Sequence, residues 1–223
     1  MMALLITGCS GKPLPQPTST LLPTSTETTE STKTPVSIPT TTTTPDLLAE
    51  YTSLLPQIPS GFEWKVIPEL KLAVLIPNGW HFKQETRTDL SLSGGIYVSK
   101  ENIDDVGRYS TGQAVFMYPD KNIDEDLEGF ATGILSDLAN ASTTSKILDS
   151  WDYKTDAYTA HHLRIETFYP NETEVNKNKI IQYSTIVSNN AVYLTIFECP
   201  SANWEQVVKD YGILLDYVVI FNE

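Results

Sequence analysis

Three histidines, a short acidic run and scattered serines are the residues of this 223-residue chain whose types could do chemistry. Acyl transfer needs a serine or cysteine held beside a base. No Gly-x-Ser-x-Gly elbow is present, and Leu92-Ser93-Gly94-Gly95 reads as a loop between strands. His161 and His162 are adjacent, and neighbouring side chains of a strand point to opposite faces, so the two cannot serve one site. His81 follows Trp80 and is expected on the solvent side of its strand. The run from Asp120 to Asp126 places oxygen ligands at the first, third and fifth positions of a calcium loop (Asp120, Asn122, Asp124). Glu125 then stands where that loop needs Gly, and Ala131 where it needs Glu, so the acids read instead as a helix start. Asp104-Asp105 is a candidate for helping to hold a weak divalent ion, and no carboxylate pair stands out for glycoside hydrolysis. The sequence assigns no catalytic residue, no metal ligand and no cofactor.

The residue with a definite chemical reading is Cys9. Ile6-Thr7-Gly8-Cys9 resembles a bacterial lipobox, in which an aliphatic residue and two small ones precede the cysteine that takes a diacylglyceryl group. Small side chains let a peptidase reach the backbone, and the thiol is the nucleophile. The apolar run Ala3–Ile6 is shorter than a signal peptide's hydrophobic region and lacks a preceding Lys or Arg, so part of the signal is expected upstream. Asn140-Ala-Ser142 and Asn171-Glu-Thr173 fit a glycosylation sequon, which a bacterial lipoprotein has no use for. If Cys9 is lipidated, the second cysteine, Cys199, is unpaired, and beside Ile196 and Phe197 it reads as a small buried hydrophobe. A Cys9–Cys199 disulfide would tie a floppy tail to the domain for little gain.

The segment after Cys9 has the composition of a tether. Of the 36 residues from Ser10 to Pro45, 18 are Ser or Thr and 7 are Pro, while every aromatic residue of the chain lies at Tyr51 or beyond. Such a segment cannot bury enough apolar surface to offset its ordering entropy and is expected to be disordered. It would span on the order of 35 Å as a coil and about 110 Å if held extended. Lys12, Glu27, Glu30 and Lys33 cancel, so the net charge of −13 falls wholly on residues 46–223. That acidic surface repels phosphate backbones and anionic headgroups, which disfavours nucleic acid and peripheral membrane docking. Residues 1–9 are thus expected to be a truncated signal, 10–45 a tether, and 46–223 a single domain of about 178 residues. No stretch approaches the roughly 20 apolar residues of a spanning helix.

Periodicity lays out the elements of that domain. Leu47, Leu48, Tyr51, Leu54 and Leu55 recur at helical spacing before Pro56. Period-two strands are expected over Phe62–Val66 and Leu70–Ile76, with a turn at Pro77-Asn78-Gly79 before a strand that begins at Trp80 and Phe82. Further strands are expected near Gly95–Ser99 and Gly112–Tyr118. A helix with Leu127, Phe130, Ile134 and Leu138 on one face comes next, with Asn122 and Glu125 placed as a capping box. Strands are then expected over Lys146–Tyr153, Tyr158–Phe168, Ile180–Val187 and Ala191–Phe197, the last two joined at Asn189-Asn190. Ser201 is placed to cap a closing helix carrying Trp204, Val207, Val208, Tyr211, Leu214 and Leu215. Hairpins without regular strand–helix alternation predict an α+β fold: an antiparallel sheet with helices packed on its apolar side.

With these elements in place, the region from Phe62 to Phe221 resembles the PsbP/Mog1-like family of α+β sandwiches. The likeness lies in Ile76-Pro77-Asn78-Gly79-Trp80, in Ala191-Val192-Tyr193-Leu194-Thr195-Ile196, and in the closing helix with Trp204 and Ile213-Leu214-Leu215-Asp216-Tyr217. Asp216 departs from the serine frequent there. The resemblance implies a binding or assembly module, as in extrinsic photosystem subunits, a GTPase partner and bacterial lipoproteins. It carries no residue-level functional motif. The expectation is therefore a membrane-anchored extracytoplasmic lipoprotein acting as a non-catalytic module for a protein or small-molecule partner, its domain monomeric. The rival expectation is a cell-surface metal-binding protein or carboxylate-dependent hydrolase.

Overall fold

A computed structural model describes residues 47–85, 94–106, 110–120, 123, 126–141, 144–155, 158–173, 176–188, 190–216 and 218–221. Cys9 and the 10–45 tether lie outside the described residues. So do Asn122 and Glu125, the expected capping box, and Asn189 of the expected hairpin turn. Asp126 is the N-cap of the long helix, and its Oδ1 accepts from the Gly129 amide at 2.7 Å.

Among the described residues, helix α1 (Leu47–Ser53) precedes β1 (Phe62–Ile67), a single 3₁₀ turn, β2 (Leu72–Pro77), β3 (His81–Glu85) and β4 (Gly94–Ser99). Helix α2 (Ile103–Val106), β5 (Gly112–Pro119) and α3 (Leu127–Asn140) lead into four long strands. These are β6 (Ser145–Lys154), β7 (Thr159–Phe168), β8 (Asn178–Val187) and β9 (Ala191–Pro200). The chain closes with α4 (Trp204–Tyr211), α5 (Ile213–Asp216) and β10 (Val218–Ile220). The α+β class expected from the sequence is the one observed. Pairing, however, divides the strands between two sheets: β1-β2-β10, and β3-β4-β5-β9-β8-β7-β6. Every pair is antiparallel.

The two sheets are stacked. Leu72, Val74 and Ile76 of β2 meet Ile96, Val98, Val115 and Tyr193 of the large sheet in one apolar cluster. Each fully buried aliphatic side chain there contributes about 1.5–3 kcal/mol. The outer face of the small sheet is covered by α1, whose Tyr51 ring stacks on Phe221 at 4.0 Å beside Ala73. The outer face of the large sheet takes α3, with Leu135 against Leu163, Ile165 and Ile181. All six residues of β2 are buried because both of its faces are covered. That is the physical reason its alternation reads less polar than a one-sided strand's.

Two expectations about the helices are revised. The buried line of α3 runs through Ala131 and Leu135, one step around from the predicted stripe. Ser201 does not cap the closing helix; it starts a 3₁₀ turn and donates from Oγ to Glu166 Oε1 at 3.0 Å. Gly212 then divides the helix into α4 and α5, leaving room for β10 to return to β2.

Candidate functional site

The inter-sheet cluster draws on β4, β5, β8 and β9 of the large sheet. Toward β6 and β7 the same inner face instead opens into a cleft of about 330 Å³. Register builds its floor. Trp151 of β6 lies opposite His162 of β7, His162 opposite Ser184 of β8, and Ser184 opposite Thr195 of β9. One cross-strand row therefore runs from an aromatic ring at the sheet edge, through an imidazole, to two hydroxyls at the centre. Facing pairs on one side of an antiparallel ladder lie close enough to interact. The imidazole accordingly stacks on the indole of Trp151 at 4.8 Å, with planes 11° apart. Its Nδ1 is 2.7 Å from Ser184 Oγ.

The next row along the strands, Tyr153, Ala160 and Ile186, makes an apolar wall, and Leu215 of α5 with Val218 of β10 makes the opposite one. Tyr158 stands near Tyr153 at the rim, the rings 6.2 Å apart. Burial is graded from mouth to floor: Tyr153 is 54% exposed, Thr195 5% and Ser184 2%. On the far side of the polar row, Arg164 fixes the indole. Its guanidinium sits 5.0 Å from the Trp151 ring centroid and 5.2 Å from that of Trp204, a double cation–π contact. Nη2 and Nε of Arg164 donate to Gln182 Oε1 at 2.8 and 3.3 Å, which holds the guanidinium plane in place.

Chemically, a serine bonded to a histidine is the start of a nucleophilic pair. Ser184 sits in mid-strand between two laddered neighbours, so the amides around it are committed to β7 and β9. Oxyanion stabilisation needs such donors turned toward the reacting carbonyl. The arrangement fits recognition by hydrogen bonding in a cleft of mixed polar and apolar lining.

The sequence-predicted residues separate as the strand period requires. His161 faces α3, with Nδ1 2.8 Å from Asp152 Oδ1 and Nε2 2.9 Å from Glu128 Oε1, tying β6, β7 and α3 together. His162 faces the cleft, and His81 is exposed at the start of β3. Asp104 is 2.5 Å from Lys83 Nζ; this bond, opposed by partial burial and aided by Glu85, raises the Lys83 pKa. Cys199 is fully buried, and burial, with Glu198 adding to it and Lys179 opposing, pushes its thiol up to about 12. Sequence reading missed Trp151, Tyr153, Ser184, Thr195 and Arg164 as one group, because only the register of four strands brings them together. Among the described residues, no cluster of His, Cys, Asp and Glu is arranged to hold a metal ion.

No protein-family model matches the sequence, and no curated protein matches it. Among solved structures, the chain is similar to cyanobacterial PsbP from Synechocystis sp. PCC 6803, with 8% identity, 75% of this chain and 99% of that one covered, and a TM-score of 0.49. It is also similar to LpqN, involved in cell envelope biogenesis of Mycobacterium tuberculosis, with 11% identity, 68% and 83% covered, and a TM-score of 0.43. The Ran-binding protein Mog1p of Saccharomyces cerevisiae aligns at 10% identity over 72% of this chain and 96% of its own, with a TM-score of 0.40. The PsbP/Mog1-like resemblance is a likeness of fold, and it extends no further.

Proposed function

We propose that this chain is a bacterial lipoprotein, anchored through Cys9 on the extracytoplasmic side of a membrane, whose 46–223 domain is a non-catalytic binding module with the Trp151–His162 cleft as its ligand site. The cleft carries the reading: aromatic and aliphatic walls around convergent polar groups are the usual construction of a small-molecule site. Several carboxylates that a hydrolase or a metal site would need are already engaged in structural bonds. Asp104 holds Lys83, Glu128 and Asp152 hold His161, Glu198 holds Lys179, and Glu101 accepts from Ser110. Among the described residues no helix is long and apolar enough to cross a membrane. The multiple acyl chains of a lipidated cysteine supply a stable anchor by other means.

Two measurements test this. Labelling with an alkyne fatty acid, in cells expressing the gene with its upstream sequence, should mark the wild type and spare Cys9→Ser; equal labelling removes the anchor. For the cleft, Ala160→Trp fills the space beside His162, and any ligand recovered with the native domain should be lost from this variant while melting stays cooperative. Retention of the ligand, or a hydrolase activity that one point substitution abolishes, would overturn the binding-module reading.

A further inference from the structure

The floor of the cleft narrows what it takes. Thr195 is 5% exposed and lines the cleft. Ser184 Oγ beside it is already bonded to His162. The Thr195 hydroxyl belongs to the cleft lining, so an occupant that displaces water from it must hydrogen-bond in water's place or cost free energy. Among the described residues, the lining contains no Asp, Glu, Lys or Arg. A charged group placed there would lose its hydration with no countercharge, which selects for a neutral occupant. Above the floor the walls are the rings of Trp151, Tyr153 and Tyr158 and the aliphatic side chains of Ile186, Leu215 and Val218. The ring faces of Trp151, Tyr153 and Tyr158 match a flat body, while the polar part of the lining is confined to hydroxyls and ring nitrogens. An unbranched acyl chain fits the walls but would leave the hydroxyl floor unsatisfied. The volume, about 330 Å³, is the share of roughly ten liquid waters and suits one or two rings.

Building on the cleft as the binding site, we propose that its ligand is an uncharged, planar aromatic small molecule with one hydrogen-bonding head group, seated head first on Thr195 and Ser184 between Trp151 and Leu215. Arg164 is a positioning residue: it holds Trp151 in place through its face and does not touch the ligand.

The test uses the full chain with p-cresol as probe, and with toluene, 4-hydroxybenzoate and methyl glucoside as comparisons. Binding is followed by the indole N–H resonance of Trp151, assigned by its loss in Trp151→Phe. p-Cresol should shift that resonance saturably at millimolar concentration; toluene should bind at least roughly fivefold more weakly, the difference one hydrogen bond makes, and 4-hydroxybenzoate should also bind more weakly because its carboxylate would lose hydration with no countercharge. Thr195→Val should bring p-cresol down to the toluene level, and Thr195→Ser, which keeps the hydroxyl, should restore the preference. Both variants are checked for a native melting profile. If methyl glucoside or 4-hydroxybenzoate shifts Trp151 at lower concentration than p-cresol, the ligand class is wrong and the cleft stands as the binding site. If Thr195→Val keeps the preference for p-cresol over toluene, the head-first seating is wrong. If none of the four moves Trp151, both the ligand class and the cleft reading fall.

Discussion

Replacing Lys179 with methionine takes away the cation beside the buried Glu198 carboxylate. In the native fold Lys179 Nζ is 2.7 Å from Glu198 Oε1, and the two side chains are 1% and 9% exposed. The pair sits on the outer face of β8 and β9, where burial keeps water from taking over for a missing partner. Removing one member of such a pair costs about 3–5 kcal/mol, because the remaining charge stays desolvated. Unfolding entropy scales with chain length, and for a domain of this size each kcal/mol moves the midpoint by about 2–4 °C. Lys179→Met is therefore expected to lower Tm by roughly 6–20 °C, as is Glu198→Leu. The double variant should recover most of that loss, since two apolar side chains of similar volume need no countercharge. Differential scanning calorimetry on the three variants measures both the losses and the coupling. Single variants that melt within a degree or two of the wild type, or a double variant as unstable as the sum of the singles, would refute the argument.

Burial alone would raise the Glu101 carboxyl, but hydrogen bonds from the Ser110 hydroxyl and amide and from Thr111 outweigh it and hold the pKa below the ordinary carboxylate value. A depressed native pKa contributes stability that is present above the unfolded value of about 4.3 and lost as pH falls through the native one. The Tm gap between wild type and Glu101→Gln should thus be widest near neutrality and close on acidification; a gap constant from pH 7 to pH 3 would count against it. Cys199, with its thiol pushed up to about 12, has on the order of a thousandfold less thiolate at pH 8 than an ordinary thiol. In a Cys9→Ser background its alkylation should be negligible in the native protein and complete in urea, and comparable native labelling would contradict its burial. Thr185 Oγ1 is buried with no hydrogen-bond partner among the described residues, so Thr185→Val should raise stability by about 1 kcal/mol in urea unfolding; destabilisation would mean that the hydroxyl is satisfied.

Much of this architecture comes from local pattern. Strands β1, β2, β8 and β9 are legible from their alternation and hairpin pattern, and α3 from its helically spaced apolar residues. The Pro77-Asn78-Gly79 turn is legible too: Gly79 takes φ +82°, which glycine adopts without strain, and the Trp80 amide closes on Pro77 O at 3.0 Å. Strand parity alone placed His161 and His162 on opposite faces, and both lie there. The division into an aromatic-free tether and a domain, like the anchor at Cys9, is a proposal drawn from composition.

Tertiary structure decided what no short-range signal contains. Strand order is set by which apolar faces meet, so the division into two sheets, and the return of β10 to β2, emerge only when both faces of β2 are covered. The cleft is a consequence of register. Trp151, His162, Ser184 and Thr195 are spread over 45 positions of sequence, each an ordinary member of its own strand. Shifting any one of those strands by a single residue would turn its member of the row to the other face. Side-chain type therefore specified the available chemistry, an indole, an imidazole and two hydroxyls, while pairing across four strands decided that they form one site.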